Sequence, residues 1–131
     1  MSSQELVHTY RKLYKTGLQA IRFSSPAQYQ LRDILRSRFR DSPSLPYDGS
    51  RIANTLRFLK RAKRNNGTEH KIIKNLLYIR YWRVQPLHKS LSKVHVGQQT
   101  PEHIAVRKEV WQHYDATLAM LNESQQLCLS M

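Results

Sequence analysis

Apolar residues recur every three or four positions through most of this chain, and most of its glycines and prolines fall between the periodic segments. That spacing places the apolar side chains on one face of an α-helix, whereas a half-buried strand requires strict alternation. With 131 residues, 40% of them hydrophobic, the chain can bury one modest core. We therefore expect an all-α protein. Residues 1–66 are predicted to form an antiparallel three-helix bundle, and residues 67–131 a helical extension that packs on the bundle or on a partner.

Five helices are predicted from the periodic segments and their capping residues. They span about Gln4 to Phe23, Pro26 to Arg40, Ser50 to Asn65, Thr68 to Arg83, and Pro101 to Asn122. The fourth is apolar on more than one side, which indicates burial on two faces or contact with another molecule. In the last helix the expected inward residues are Ile104, Trp111, Tyr114, Leu118 and Leu121. Residues 123–131 are expected to fray.

The charge of the chain is unevenly distributed. There are 22 basic and 9 acidic side chains, a formal net charge of +13. Residues 1–93 carry a net charge of +15 and residues 94–131 a net charge of −2. An anionic partner should therefore meet the first two thirds of the chain.

The chain lacks the residues that several functional classes of protein require. No apolar run approaches the ~20 residues of a membrane span, and the first residues do not look like a secretory signal. The single cysteine, Cys128, excludes an internal disulfide, and the six scattered histidines show no metal-ligand spacing. Phosphate-binding loops and nucleophile motifs are also missing. We expect a non-enzymatic protein with no metal and no cofactor of its own.

Two short motifs carry the most information. Tyr10-Arg11 lies within the first helix, with Lys15 one turn later, and Phe39-Arg40 ends the second. Over residues 5 to about 65 this arrangement resembles the LYR family of small mitochondrial adaptors, although Thr9 stands where that family has leucine. The family forms an antiparallel three-helix LYR-type bundle that binds the acidic mitochondrial acyl carrier protein. The acyl-phosphopantetheine group belongs to the carrier, and its acyl chain enters the core between the helices.

The resemblance implies two sets of site residues. The carrier protein would be bound by Tyr10, Arg11, Lys15, Arg32, Arg36 and Arg40. The acyl chain would lie in a slot lined by Tyr10, Leu13, Gly17, Leu35 and Phe39. Gly17 lies on the apolar face of its helix, where the missing side chain permits close helix–helix approach and could leave room for the chain.

A second candidate surface lies on the fourth helix. Basic and aromatic side chains are interleaved there, at Lys74, Tyr78, Arg80, Tyr81, Trp82 and Arg83. Such a mixture suits a protein interface, where tyrosine, tryptophan and arginine anchor binding, or an RNA contact, where rings stack on bases. We expect a partner-protein interface first and a ribosomal RNA contact second.

Together these features predict a mitochondrial-matrix adaptor that docks the acyl carrier protein on a larger assembly. The excess positive charge favours the mitochondrial ribosome or its assembly intermediates. The alternatives are an accessory subunit or assembly factor of a respiratory-chain complex, and a stand-alone basic RNA-binding module. No acidic residue occurs between Tyr10 and Gln30, so the first helix is basic and amphipathic, as expected of an uncleaved internal targeting signal.

Overall fold

The computed structural model describes residues 2–40, 48–84 and 100–129, and these ranges contain helices and turns but no strand. The helices are α1 (Ser3–Ala20), α2 (Ala27–Arg40), α3 (Gly49–Arg64), α4 (Thr68–Val84) and α5 (Pro101–Gln125). The predicted all-α class is confirmed. None of the helices in these ranges combines the length and the apolar character that a membrane crossing needs.

Local hydrogen bonds set both ends of α1. At its start Ser2 and Glu5 form a capping box, in which each side chain accepts a hydrogen bond from the backbone N–H of the other. These bonds stabilise the carboxylate and lower the pKa of Glu5. At its end the chain turns through Arg22 and Phe23, whose φ values are 54° and 55°. Because left-handed backbone stops a helix, α1 ends earlier than the predicted Phe23.

Helices α1 to α4 pack together around one core. α1 contacts α2 and α3, and α4 contacts the same two helices. The buried apolar residues of these four helices are Leu13, Ala20, Leu31, Ile34, Leu59, Ala62, Ile73, Leu76 and Leu77. α4 buries one broad face, with Ile73, Leu76 and Leu77, against α2 and α3, while its other side is exposed, so contact of that side with another molecule stays a prediction. The division of the chain at residue 66 stays a prediction.

Capping side chains also start α3 and α5. Asp48 Oδ1 accepts hydrogen bonds from the N–H groups of Ser50 and Arg51 at 3.0 and 3.2 Å. The Ser50 hydroxyl also donates to Oδ1, at 2.6 Å, and this bond followed by the Arg51 N–H bond lowers the pKa of Asp48. Thr100 accepts from the His103 N–H at 3.4 Å, so the predicted threonine-proline start of α5 is confirmed.

The two halves of α5 have different surroundings. All residues from 101 to 110 are exposed, and Ile104 is 56% exposed, so its prediction as an inward residue was wrong. Farther along, Leu118 is buried, and Tyr114 and Leu121 pack against the core. Helical periodicity identifies an apolar face of α5, but only the part of that face from Trp111 onward reaches the other helices.

Residues 126–129 do not fray, contrary to the prediction for the tail, of which residues 130–131 lie outside the described ranges. Leu127 and Leu129 are only 2% and 6% exposed. Asn122 holds the backbone of Leu129: its Oδ1 accepts from the Leu129 N–H at 3.0 Å, and its amide nitrogen donates to the Leu129 carbonyl. Thr55 Oγ1, on α3, accepts from the Cys128 N–H at 3.1 Å. Buried leucines and paired backbone groups thus fix this segment against α3.

Candidate functional site

The two predicted motifs come together where α1 and α2 pack antiparallel. The rings of Tyr10 and Phe39 meet edge to face, with centroids 5.3 Å apart and planes at 81°. Tyr14, one turn along α1, stacks on Tyr10 at 6.1 Å. Tyr10 and Phe39 are both half-buried, so this ring cluster lies at the edge of the core. Residues far apart in sequence thus form one surface feature.

Exposed cations lie beside the ring cluster. Arg11 follows Tyr10, and Arg40 follows Phe39, so both arginines lie at the level of the ring contact. Within the described ranges no ion pair involves the exposed cations predicted for this surface, which are Arg11, Lys15, Arg36 and Arg40. Their charges are therefore open to an external anionic group.

Arg32 differs from the other predicted cations. It is half-buried, it pairs with Asp33 at 3.4 Å, and its guanidinium lies over the Tyr29 ring at 5.4 Å from the centroid. Both contacts are local and solvent-accessible, and such exposed pairs contribute little stability. Arg32 is thus partly engaged within α2, whereas the other arginines of its row are not in contact with acidic residues of the described ranges.

The predicted acyl slot is filled around Gly17. A Cβ atom built on Gly17 would lie 2.7 Å from Leu31 Cδ2, which is closer than two non-bonded carbon atoms approach each other. The interpretation of Gly17 as a point of close helix–helix approach is confirmed, but the Leu31 side chain takes the space that the glycine leaves. Of the other slot residues, Leu13 is buried and Leu35 is half-buried. An acyl chain would enter beside Gly17 only if Leu31 moved.

The aromatic residues of α4 form a second surface. Tyr78 is 61% exposed and Trp82 48% exposed, and their rings meet edge to face at 6.1 Å. Tyr81 is half-buried and contacts Trp82 at 5.4 Å. Lys74 is exposed one turn before Tyr78. Large rings and a cation thus face solvent together, which is the composition of binding anchors.

Arg83 is engaged within the chain instead. Its guanidinium donates two hydrogen bonds to the Asp115 carboxylate, at 2.8 and 3.1 Å, and lies 4.6 Å from the centroid of the Trp111 ring. The bidentate pair lowers the pKa of Asp115 and raises that of Arg83. Arg83 therefore joins α4 to α5, a role that its sequence neighbours did not indicate.

Arg80, the remaining predicted residue of this surface, is half-buried, and its Nε has no hydrogen-bond partner in the described ranges.

Comparison with known proteins adds one relative. The chain is 32% identical, over 83 residues, to a UPF0593 mitochondrial protein of Schizosaccharomyces pombe. The match covers 61% of this chain and 66% of the relative, just under two thirds of its length. No protein family model and no solved structure matches the chain. The similarity connects the chain to a mitochondrial protein and supports a mitochondrial location.

Proposed function

We propose that this chain is a non-enzymatic adaptor of the mitochondrial matrix that binds the acyl carrier protein through α1 and α2. The edge-to-face contact of Tyr10 with Phe39 carries the proposal, because it joins the two LYR-like motifs in one surface. Their contact creates a half-buried aromatic cluster flanked by Arg11 and Arg40, which suits a ligand with both an anionic and an apolar part.

Electrostatic attraction would bring the carrier to this surface. Its acidic side chains and the phosphate of its prosthetic arm would meet Arg11 and Lys15 on α1, and Arg36 and Arg40 on α2. Arginine binds carboxylates and phosphates through paired hydrogen bonds, so these residues also supply geometric selectivity. Because none of them is neutralised by an acidic residue of the described ranges, docking breaks no ion pair recorded there.

The acyl chain would provide the second part of the binding. In our proposal it enters beside Phe39 and Leu35, and Leu31 rotates away from Gly17 to admit it. The free energy needed to move Leu31 would be offset by burial of the acyl chain, which contributes roughly 0.8 kcal/mol per methylene. Burial of this kind makes the acylated carrier the preferred ligand. The acyl-phosphopantetheine stays covalently attached to the carrier, and the adaptor binds no cofactor itself.

The α4 surface is our candidate for the larger assembly. Tyr78 and Trp82 are exposed aromatic anchors, and they lie on a different helix from the carrier-binding cations. An adaptor needs two such separate surfaces so that both partners can bind together. The positive charge of residues 1–93 favours the mitochondrial ribosome or its assembly intermediates as the client, with a respiratory-chain complex as the alternative.

Affinity purification tests the carrier interaction. The tagged full-length chain is isolated from mitochondria, and the copurifying proteins are identified by mass spectrometry. We expect the acyl carrier protein with the unmodified chain and its loss with the Arg11→Glu, Arg36→Glu double variant, because a like-charge contact costs several kcal/mol. The control is Arg107→Glu, Lys108→Glu, which changes the net charge equally on the exposed part of α5. The proposal fails if the unmodified chain brings down no carrier or if the first variant retains it.

The same purification identifies the client. Ribosomal proteins alongside the carrier would support the ribosomal assignment, whereas respiratory subunits would support the alternative. A Tyr78→Ala, Trp82→Ala variant should lose the client and keep the carrier. Loss of both partners together would contradict the assignment of two separate surfaces.

A further inference from the structure

One end of the helical bundle collects four helix termini. α1 and α3 finish there, and α2 and α4 begin there, because only residues 21–26 separate α1 from α2 and only residues 65–67 separate α3 from α4. A hydrogen-bonding contact of 2.8 Å between His70 Nδ1 and the carbonyl of Ala20 fixes the start of α4 to the end of α1. We call residues 22–26 and 60–71 the turn end. The Tyr10–Phe39 contact lies away from this end, at the middle of α1 and in the last turn of α2.

The turn end is strongly basic. Its cations are all exposed, and they are Arg22, Lys60, Arg61, Lys63, Arg64 and Lys71. Glu69 is its sole acidic residue, and no ion pair of the described ranges involves any of these side chains. Six like charges in a small region repel each other, so this surface attracts anions from solution.

Helix capping accounts for only part of this charge. Cations in the last turn of α3 interact favourably with the carboxyl end of the helix dipole. Lys71, however, lies at the start of α4, where the dipole disfavours a cation. Arg22 lies outside any helix, in left-handed backbone that glycine usually occupies. The clustering of these charges therefore exceeds what helix stability requires.

An exposed aromatic ring lies among the cations. Phe23 is 60% exposed, and it follows Arg22 in the same left-handed turn. Its N–H donates to the Leu18 carbonyl at 2.9 Å, so the backbone at this position is ordered by the end of α1. A fixed backbone reduces the number of positions that the Phe23 ring can sample. Strained backbone that presents an apolar ring to solvent is typical of a contact site.

We propose that the turn end binds RNA, with the cations on backbone phosphates and Phe23 stacked on an unpaired base. Single-stranded nucleic acids are bound by this combination of a basic surface and an aromatic platform. An anionic membrane is a poorer match, because Phe23 is the single large apolar side chain exposed at the turn end and insertion needs a broad apolar face. The inference does not depend on carrier binding, which is proposed for other residues, in the middle of α1 and the second half of α2.

Fluorescence anisotropy with the full-length chain and a labelled single-stranded RNA tests the inference. We expect salt-dependent binding that weakens at least tenfold in Lys63→Glu, Arg64→Glu, with the salt slope reduced by about 0.7 per lost phosphate contact. Arg107→Glu, Lys108→Glu has the same net charge and should bind nearly normally. Phe23→Ala should lower affinity for the single strand about tenfold and leave its salt slope unchanged, because it removes stacking only.

Three results would overturn the inference. They are absence of RNA binding by the unmodified chain, an equal loss in both charge variants, and binding to cardiolipin-containing vesicles without binding to RNA. Circular dichroism checks folding, and Lys63→Gln, Arg64→Gln, which removes the charges without reversing them, should still bind RNA less than the α5 control. Copurification of the acyl carrier protein should be unchanged in these variants, so failure of this inference is distinguishable from failure of the proposed function.

Discussion

The side-chain amide of Asn122 bonds to both backbone polar groups of Leu129, and so closes the segment after α5 onto the helix that precedes it. Asn122→Ala would leave a partly buried N–H and carbonyl without these partners, which costs about 1–3 kcal/mol. We expect a correspondingly lower free energy of unfolding in urea titrations. Gln112→Ala, at an exposed position of the same helix, is the control and should change stability by less than about 0.5 kcal/mol. Equal stability of the two variants would contradict the anchoring role of Asn122.

Gly17→Leu should destabilise the free protein. The new side chain would occupy the space of Leu31, and overpacking of this kind costs about 1–3 kcal/mol, more than the roughly 1 kcal/mol gained in helix propensity. Thermal melting measures the loss of stability. Adding Leu31→Ala to the variant should recover part of that loss, because the smaller side chain leaves space for the new leucine.

Binding of the same variant tests the acyl slot. Gly17→Leu should weaken binding of the acylated carrier protein and change binding of the unacylated form little. If the variant is less stable but still prefers the acylated carrier, the slot lies elsewhere and Gly17 serves only helix packing.

The Tyr10–Phe39 contact should show measurable coupling. Edge-to-face pairs contribute about 0.5–1.5 kcal/mol beyond burial. In a double-mutant cycle with Tyr10→Leu and Phe39→Leu, the loss of stability in the double variant should therefore be smaller than the sum of the single losses. Strict additivity would mean that the two rings do not interact in solution.

Acid should weaken the connection between α4 and α5. The pKa of Asp115 is lower in the folded chain than in the unfolded chain because Arg83 bonds to the carboxylate. The resulting stability is present above the unfolded pKa of about 3.9 and is lost as the pH falls through the lower, folded value. Asp115→Asn should therefore reduce stability at pH 7 by up to about 1 kcal/mol, as for a solvent-exposed pair. Urea titrations from pH 7 to pH 2 should show the free energies of unfolding of the two proteins converging. A difference in stability that does not change with pH would rule out the ion pair as its source.

Local sequence signals predicted the helices well. Threonine-proline at residues 100–101 marks the start of α5, and the apolar steps through Leu31 and Leu35 mark α2, because capping and periodicity depend on nearby residues. The family resemblance placed Tyr10 and Phe39 along one slot, but it did not predict that their rings contact each other. The start of α1 was missed by one residue, although Ser2 and Glu5 have capping-box spacing.

Long-range partners were not predictable in the same way. Leu31 is apolar, but its position against Gly17 depends on the relative positions of α1 and α2 along their axes, which the sequence does not give. Arg83 belongs to a stretch of basic and aromatic residues, and its partner Asp115 lies on another helix. The short segment around Leu129 has too few residues to show a period, so only its contacts reveal that it is buried.

The hydrogen bond between Thr55 and Cys128 joins positions 73 residues apart, whereas α1 to α4 contact their neighbours over much shorter loops. Closing a long loop costs more entropy, so this contact should form after the four-helix core. Contacts that form last in folding are expected to break first, so the segment after α5 should be the first part to open under native conditions. In hydrogen exchange the amides of Cys128 and Leu129 should therefore lose protection before those of Leu59 and Leu77. The chain would then pass through a state with four helices closed and the α3 surface around Thr55 uncovered.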